Sequence, residues 1–201
     1  VHQMEIEELM IEKAKAAKAA SRKLAVVSTR VKDAALLAMA DVLEKRTELS
    51  RAANEQDLEE ARKKGLKRSY LDRLMLNEPR IQAMAQGLRQ TAALPDPIGE
   101  GEYSTIRPNG LEIRRVRVPI GVIGIVYEAR TNVTSDAAGL CLKSGNAVIL
   151  RGGSEAIRSN LAISSLLAKA AYEAGIPEGA LQFVEVTEHA AVDVLCILVH
   201  T

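Results

Sequence analysis

The second half of the chain alternates short apolar runs with longer helical patterns, and this alternation limits the possible folds most. Runs rich in Val, Ile and Leu at 121–128, 146–151 and 180–186 have the length and composition of strands. The first two suit strands buried on both faces. Helical patterns at 134–145 and 154–175 separate them. This order predicts an α/β fold with an open parallel sheet and right-handed crossovers.

Local signals suggest where the two crossover helices begin and end. Thr134 or Ser135 is the expected N-cap of the first helix, and Ser154 that of the second, because short hydroxyl side chains accept bonds from free N–H groups. Gly145 and Gly175 are expected to end the two helices.

The first half of the chain predicts helices only. Residues 4–94 are rich in helix formers, with Ser28 or Thr29 as one N-cap candidate, a stop at Gly65 and a break near Asn77 and Pro79. The prolines in "PDPIGE" end this helical half.

A β-hairpin is expected between the two halves, where the alternating stretch "LEIRRVRV" follows the turn "PNG". The predicted parts are therefore a helical part at 4–102, a hairpin at 103–118 and an α/β part at 119–201. The arginines at 114, 115 and 117 leave two interpretations open: a solvated edge strand, or a strand that pairs with another subunit.

Composition weighs against several classes of protein. Aromatic residues make up 2% and the net charge is +1, which disfavours nucleic acid and anionic lipid as partners. No apolar run is long enough to cross a membrane. The three histidines are scattered, so no metal site is expected. Cys141 and Cys196 lie among apolar residues and are predicted to be buried rather than nucleophilic, as in a reducing, intracellular location.

The segment "RGGSE" stands where the second strand meets the following helix. Ligands of open parallel sheets bind beyond the carboxyl ends of the strands. There Arg151 can bind a phosphate, Gly152 and Gly153 allow close approach, and the helix N-terminus favours an anion. These features point to a phosphorylated or nucleotide ligand, although Gly-Gly-Ser is also ordinary turn chemistry. The sequence contains neither G-x-G-x-x-G nor G-K-[ST].

A second polar cluster, "YEARTN" at 127–132, follows the first strand. Polar side chains crowded at the end of a buried strand are costly unless they bind a ligand or one another. Both interpretations, a ligand site and a hydrogen-bonded loop, stay open on these residues alone.

The stretch "RVPIGVIGIVYEARTNVTSDAAGLCLKSGNAVILRGGSEAIRSN" resembles the γ-glutamyl phosphate reductases of the aldehyde dehydrogenase superfamily. The likeness extends to 53–65, 71–100 and 175–188. It implies a Rossmann-like cofactor domain with a projecting hairpin. It also implies NADPH-dependent reduction of L-glutamyl 5-phosphate to L-glutamate 5-semialdehyde and phosphate, the second step from glutamate to proline, in the cytoplasm. In the superfamily, a thiolate attacks the acyl carbon before hydride transfer.

The resemblance also assigns roles to residues. Residues that would hold the cofactor are Tyr127, Arg151, Gly152, Gly153, Ser154 and Glu155. An Arg at 151 would suit the 2′-phosphate of NADP. Glu128 and Arg130 would contact substrate, and Asn132 would contribute to an oxyanion hole. The hairpin at 103–118 would join subunits of a homo-oligomer, and glutamate 5-kinase is an expected partner.

Two departures from the family pattern stand out. Thr131 replaces the Pro of "RPNVT", which frees a backbone N–H and loosens the turn. The family is also about twice as long, and its nucleophilic cysteine lies in the half that these 201 residues do not match. The resemblance thus predicts the cofactor-binding part of a reductase without its catalytic domain. The alternative is a truncated, non-catalytic domain that binds a nucleotide or a partner.

Overall fold

The first half of the chain is helical throughout, as the sequence predicts. The structure is a computed structural model that describes residues 2–188 and 190–198. The helices of this half are α1 (His2–Leu24), α2 (Thr29–Lys45), α3 (Thr47–Lys63), α4 (Arg68–Leu74) and α5 (Glu78–Ala93). Ser28 caps α2 by accepting a bond from the N–H of Val31, and Asn77 caps α5 by accepting one from the N–H of Arg80 at 3.0 Å.

The predicted hairpin follows, and it begins two residues earlier than expected. Strand β1 (Gly101–Ile106) pairs antiparallel with β2 (Glu112–Val116). Both strands are exposed along nearly their whole length. The hairpin therefore leaves apolar side chains in solvent, with Ile106 at 73% exposure.

The rest of the chain forms a parallel α/β unit. Its elements are β3 (Val122–Val126), α6 (Thr131–Lys143), β4 (Ala147–Arg151), a 3₁₀ turn (Ser154–Ala156), α7 (Ile157–Glu173), β5 (Leu181–Phe183) and α8 (Ala190–Leu198). The strands are parallel and lie in the order β3-β4-β5. Their carboxyl ends share one rim, which confirms the predicted sheet.

Burial differs between the first two strands of the sheet. Every residue of β4 is buried, because this strand lies between β3 and β5 and packs against α1 and α6. The prediction that β3 is equally buried was wrong: it is half-buried and Val126 is 48% exposed. The reason is its place at one edge of the described sheet, with a neighbouring strand on one side only.

One hydrophobic core unites the two halves of the chain. Buried residues of α1, α2 and α5 belong to the same cluster as those of α6, α7, β4 and β5. Within the described residues, no helix combines the length and the apolarity required to cross a membrane.

Candidate functional site

Two loops meet at the carboxyl-end rim of the sheet, 127–130 after β3 and 152–156 after β4. The N–H of Tyr127 donates to the carbonyl oxygen of Arg151 at 3.0 Å. A Cβ at Gly153 would lie 2.9 Å from the backbone nitrogen of Ala129. Only glycine lets the two backbones approach this closely.

Gly152 is also enclosed by the protein itself. A Cβ there would lie 2.2 Å from Nδ2 of Asn160 in α7 and 3.2 Å from Cε2 of Tyr127. The close packing of the protein around the two loops thus explains why both positions are glycine. Their contact with a ligand stays a prediction.

Arg151 ends β4 with its side chain turned into the protein, 8% exposed. Its Nη2 donates to the carbonyl oxygen of Thr187 at 2.9 Å. Its Nε is buried and has no hydrogen-bond partner among the described residues. An unsatisfied buried donor costs about 1–3 kcal/mol, more on a charged group. An anionic ligand oxygen beside Nε would offset this cost, so the orphaned donor fits a phosphate-bearing cofactor.

Arg151 lines a cleft of about 600 Å³, named here the strand-end cleft. Its lining consists of Tyr70, Arg73, Val126, Tyr127, Glu128, Ala129, Arg151, Gly153, Ser154, Glu155 and Thr187. The volume is typical of small-molecule sites. The cleft brings together all the predicted cofactor residues except Gly152. The space beside the Cα of Gly152 is occupied by the side chain of Asn160.

The strand-end cleft carries charges of both signs. Arg73 and Arg151 line it together with Glu128 and Glu155. Burial raises the pKa of Tyr70, and the nearby carboxylates of Glu155 and Glu128 raise it further. Such a lining suits a ligand with both anionic and hydroxyl groups. Sequence reasoning missed Tyr70 and Arg73, because nothing in "SYLDR" distinguishes them from ordinary residues of a short helix.

The Tyr127 hydroxyl belongs to a buried network rather than to the cleft. It donates to Oγ1 of Thr134 at 2.6 Å, because the Thr134 hydroxyl itself donates to Oδ1 of Asn160 at 3.0 Å. Burial raises the pKa of Tyr127 to about 12. The phenol therefore stays protonated at neutral pH, and this network ties the loop after β3 to α6 and α7.

Helix α6 begins earlier than predicted. Arg130 occupies the N-cap position, without a side-chain bond, and Thr131 is the first helical residue. Thr134 and Ser135 were wrong as caps, since both are buried inside the helix. The hydroxyl of Ser135 donates back to the carbonyl oxygen of Asn132 at 2.9 Å. The earlier start places Asn132 in the first turn of α6.

A second cleft of about 450 Å³, named here the helix-end cleft, lies at this first turn. Its lining consists of Asp72, Arg73, Met75, Leu76, Arg80, Ala83, Met84, Arg130, Thr131, Asn132 and Asp136. The structure thus puts Arg130 and Asn132 in one cleft and Glu128 in the other. Because Arg73 lines both, the two clefts are neighbours.

The first turn of α6 holds a carboxylate beside the predicted oxyanion donor. Nδ2 of Asn132 donates to Oδ2 of Asp136 at 3.2 Å. Desolvation raises the pKa of Asp136, although that hydrogen bond opposes the rise. The amide of Asn132 is therefore oriented by a residue one turn along its own helix, which the i, i+4 spacing in the sequence could have indicated.

Helix α7 is capped by a residue that the sequence did not reveal. Ser154 was wrong as the cap: it opens the 3₁₀ turn, and α7 starts at Ile157. Instead the buried carboxylate of Asp57, in α3, accepts bonds from the N–H and hydroxyl of Ser159 at 2.7 and 2.6 Å. The N-terminus of α7, expected to attract an anionic ligand, therefore already binds a carboxylate. Asp57 is 102 residues away in sequence, so no local pattern could identify it.

The two cysteines differ in environment. Cys141 is buried as predicted, and burial raises the pKa of its thiol to about 11, so it stays protonated at neutral pH. The prediction for Cys196 was wrong, because it lies exposed on α8. Neither cysteine belongs to the lining of the two clefts.

Comparison with known proteins gives a consistent result. The chain is 61% identical over 181 residues to a γ-glutamyl phosphate reductase of Thermoanaerobacter sp. (strain X514), covering 90% of this chain and 44% of that relative. The crystal structure of γ-glutamyl phosphate reductase from Thermotoga maritima matches with a TM-score of 0.90 and 45% identity, over 91% of this chain and 44% of that one. A γ-glutamyl phosphate reductase from Saccharomyces cerevisiae matches with a TM-score of 0.83 and 30% identity, over 88% of this chain and 46% of that one.

The chain thus spans less than half the length of these relatives. The family model described as the aldehyde dehydrogenase family matches residues 3–197, nearly the whole chain. The fold of the chain agrees with that of the solved relatives, with TM-scores of 0.90 and 0.83. The chain belongs to the aldehyde dehydrogenase family.

Proposed function

We propose that the chain is the cofactor-binding part of an NADPH-dependent γ-glutamyl phosphate reductase, which reduces L-glutamyl 5-phosphate to L-glutamate 5-semialdehyde and phosphate. The names of the relatives support the reaction. A nicotinamide cofactor is implied by the family. When bound, NADPH supplies a hydride. The described residues would bind the cofactor, orient it and shield it from water.

The buried, partly unpaired guanidinium of Arg151 carries the proposal. It lies in the strand-end cleft beside Ser154 and Glu155. A phosphate there would accept from Nε, while a carboxylate of the cleft can accept from a ribose hydroxyl. Because a guanidinium binds phosphate through two parallel bonds, Arg151 favours NADPH over NADH.

The helix-end cleft is proposed as the substrate-binding site, next to the cofactor site in the strand-end cleft. Asn132 is exposed at the first turn of α6, with one amide N–H bound to Asp136. The other amide N–H has no acceptor among the described residues and can donate to a developing oxyanion. Arg130 lines the same cleft, and Glu128 faces the cofactor side.

The hairpin of β1 and β2 is proposed as an oligomer contact in the cytoplasm. Its exposed apolar side chains support this role, among them Tyr103, Ile106, Leu111, Ile113 and Val116. Association with glutamate 5-kinase is the other proposed contact, since that enzyme would produce the acyl phosphate.

Calorimetric titration of the chain with NADPH, and with NADH in parallel, tests the cofactor site. We expect NADPH to bind more tightly. Arg151→Ala should lose about 1.5–3 kcal/mol of NADPH binding, as for hydrogen bonds to charged groups. Arg151→Lys should retain part of it, because it keeps the charge without the planar fork.

Arg51→Ala is the matched control, because Arg51 is exposed on α3 and pairs only with Glu48, at 3.5 Å, in the described structure. Its NADPH affinity should equal that of the parent chain. If Arg151→Ala binds NADPH as tightly as the parent chain, or if the parent binds neither nucleotide, the strand-end cleft is not the cofactor site.

A further inference from the structure

Two of the five charged side chains that line the helix-end cleft pair with each other. Arg80 donates to the carbonyl oxygen of Met75 at 2.7 Å and pairs with the carboxylate of Asp72 at 3.2 Å. These two opposite charges compensate each other inside the cleft. A ligand could therefore use them only by breaking an existing contact.

The other three charges of the cleft belong to Arg73, Arg130 and Asp136. Within the described part of the chain, the guanidinium groups of Arg73 and Arg130 form no ion pair. The carboxylate of Asp136 accepts a hydrogen bond from the neutral amide of Asn132, at 3.2 Å, and has no cationic partner there. One negative and two positive charges thus remain available to a ligand.

These three charges define the ligand that would complement the cleft. A carboxylate attracts an ammonium group, and guanidinium groups bind carboxylate or phosphate. Desolvation raises the pKa of Asp136, so a cationic partner would stabilise its ionised form. Apolar side chains of Met75, Leu76 and Met84 complete the lining. A short aliphatic chain with an ammonium group at one position and anionic groups at others meets all these requirements.

We propose that Asp136 binds the α-ammonium group, and Arg73 and Arg130 the carboxylate, of an α-amino acid substrate in the helix-end cleft. This inference rests on the proposed function and adds the residues that distinguish an amino acid from a simple acyl compound. Arg73 lines both clefts, so a ligand held there lies next to the cofactor side.

Calorimetric or NMR titration of the chain with three small probes tests the proposal. L-Glutamate carries both groups, glutarate lacks the ammonium group, and 4-aminobutyrate lacks the α-carboxylate. The parent chain should bind L-glutamate more tightly than either analogue. Asp136→Asn should weaken L-glutamate binding roughly 10- to 150-fold, as for a lost bond to a charged group, and should not weaken glutarate binding.

Two further variants separate recognition from folding. Asp72→Asn removes a carboxylate of the same cleft that already pairs with Arg80, and it should keep the preference for L-glutamate over glutarate. Arg73→Ala should weaken L-glutamate and glutarate together and spare 4-aminobutyrate. Thermal unfolding of each variant checks that it is folded.

Three results would overturn the proposal: equal affinity of the parent for L-glutamate and glutarate, no binding of L-glutamate, or the same loss of L-glutamate affinity in Asp72→Asn as in Asp136→Asn. The NADPH titration is a separate readout. A chain that binds NADPH through Arg151 but does not discriminate the probes would refute this assignment alone and leave the cofactor assignment standing.

Discussion

At the scale of single residues, Thr131 occupies a position that suits proline better. It is the first residue of α6, where the N–H has no partner inside the helix. The preceding Arg130 is extended, with φ −119° and ψ 102°, in the broad β region that residues before proline favour. Thr131→Pro should therefore raise the free energy of unfolding by about 0.4–1 kcal/mol, measured by urea denaturation.

Val133→Pro is the control, because it should lower the free energy of unfolding. The N–H of Val133 donates to the carbonyl oxygen of Arg130 at 3.2 Å, and proline would remove that bond. A loss of stability in Thr131→Pro comparable to that in Val133→Pro would show that the turn before Asn132 depends on the Thr131 side chain or N–H.

Single residues were predictable where their chemistry acts locally. The sequence identified Arg151 as a cation at the sheet rim, and the structure adds its orphaned Nε. The reason for Gly153 was not predictable, because it depends on the backbone of Ala129, which the fold brings near. Tyr70 and Arg73 were missed for the same reason: they reach the clefts from α4 only through tertiary packing.

At the scale of elements, Asp57 fixes the start of α7 from α3. Its carboxylate is 1% exposed and binds both the N–H and the hydroxyl of Ser159. Asp57→Ala would leave those groups buried without an acceptor, which should cost about 2–3 kcal/mol of unfolding free energy, measured by urea denaturation. NADPH affinity should fall as well, because α7 follows directly after Ser154 and Glu155 of the strand-end cleft.

Glu60→Ala is the matched control for this prediction. Glu60 also pairs with Arg158, at 2.7 Å, but its side chain is 43% exposed. Exposed pairs contribute little, so urea denaturation of this variant should match the parent. Equal stability of the Asp57 and Glu60 variants would show that the buried cap contributes nothing.

Elements were predicted well in number and type, and less well at their starts. Helix ends marked by Gly65, Gly145 and Gly175 agree with the structure, where each glycine has a positive φ. The start of α7 was not predictable, since its cap comes from another helix. The burial of β3 depends on strand order, which the apolar pattern of one strand does not contain.

At the scale of the whole molecule, a buried lysine joins the helical and α/β parts. Lys143 of α6 donates to the carbonyl oxygen of Ala92 at 2.9 Å and pairs with Asp33 of α2. Within the helical part, Lys32 of α2 pairs with Asp96 at 2.6 Å, with its side chain 2% exposed. Together with the shared core, the contacts of Lys143 predict that the two parts unfold together.

Asp96 gives the stability of the chain a dependence on pH that can be measured. Burial alone would raise the pKa of Asp96, but bonds from Lys32, Thr29 and the N–H of Ile98 outweigh it and lower the pKa. Because the folded pKa lies below the unfolded one, this group stabilises the fold above the unfolded pKa, and its contribution is lost as the pH falls through the folded pKa. Asp96→Asn should therefore reduce the loss of unfolding free energy between pH 6 and pH 3, measured by urea denaturation. An identical pH dependence in the variant and the parent chain would contradict a stabilising role for the Lys32–Asp96 pair.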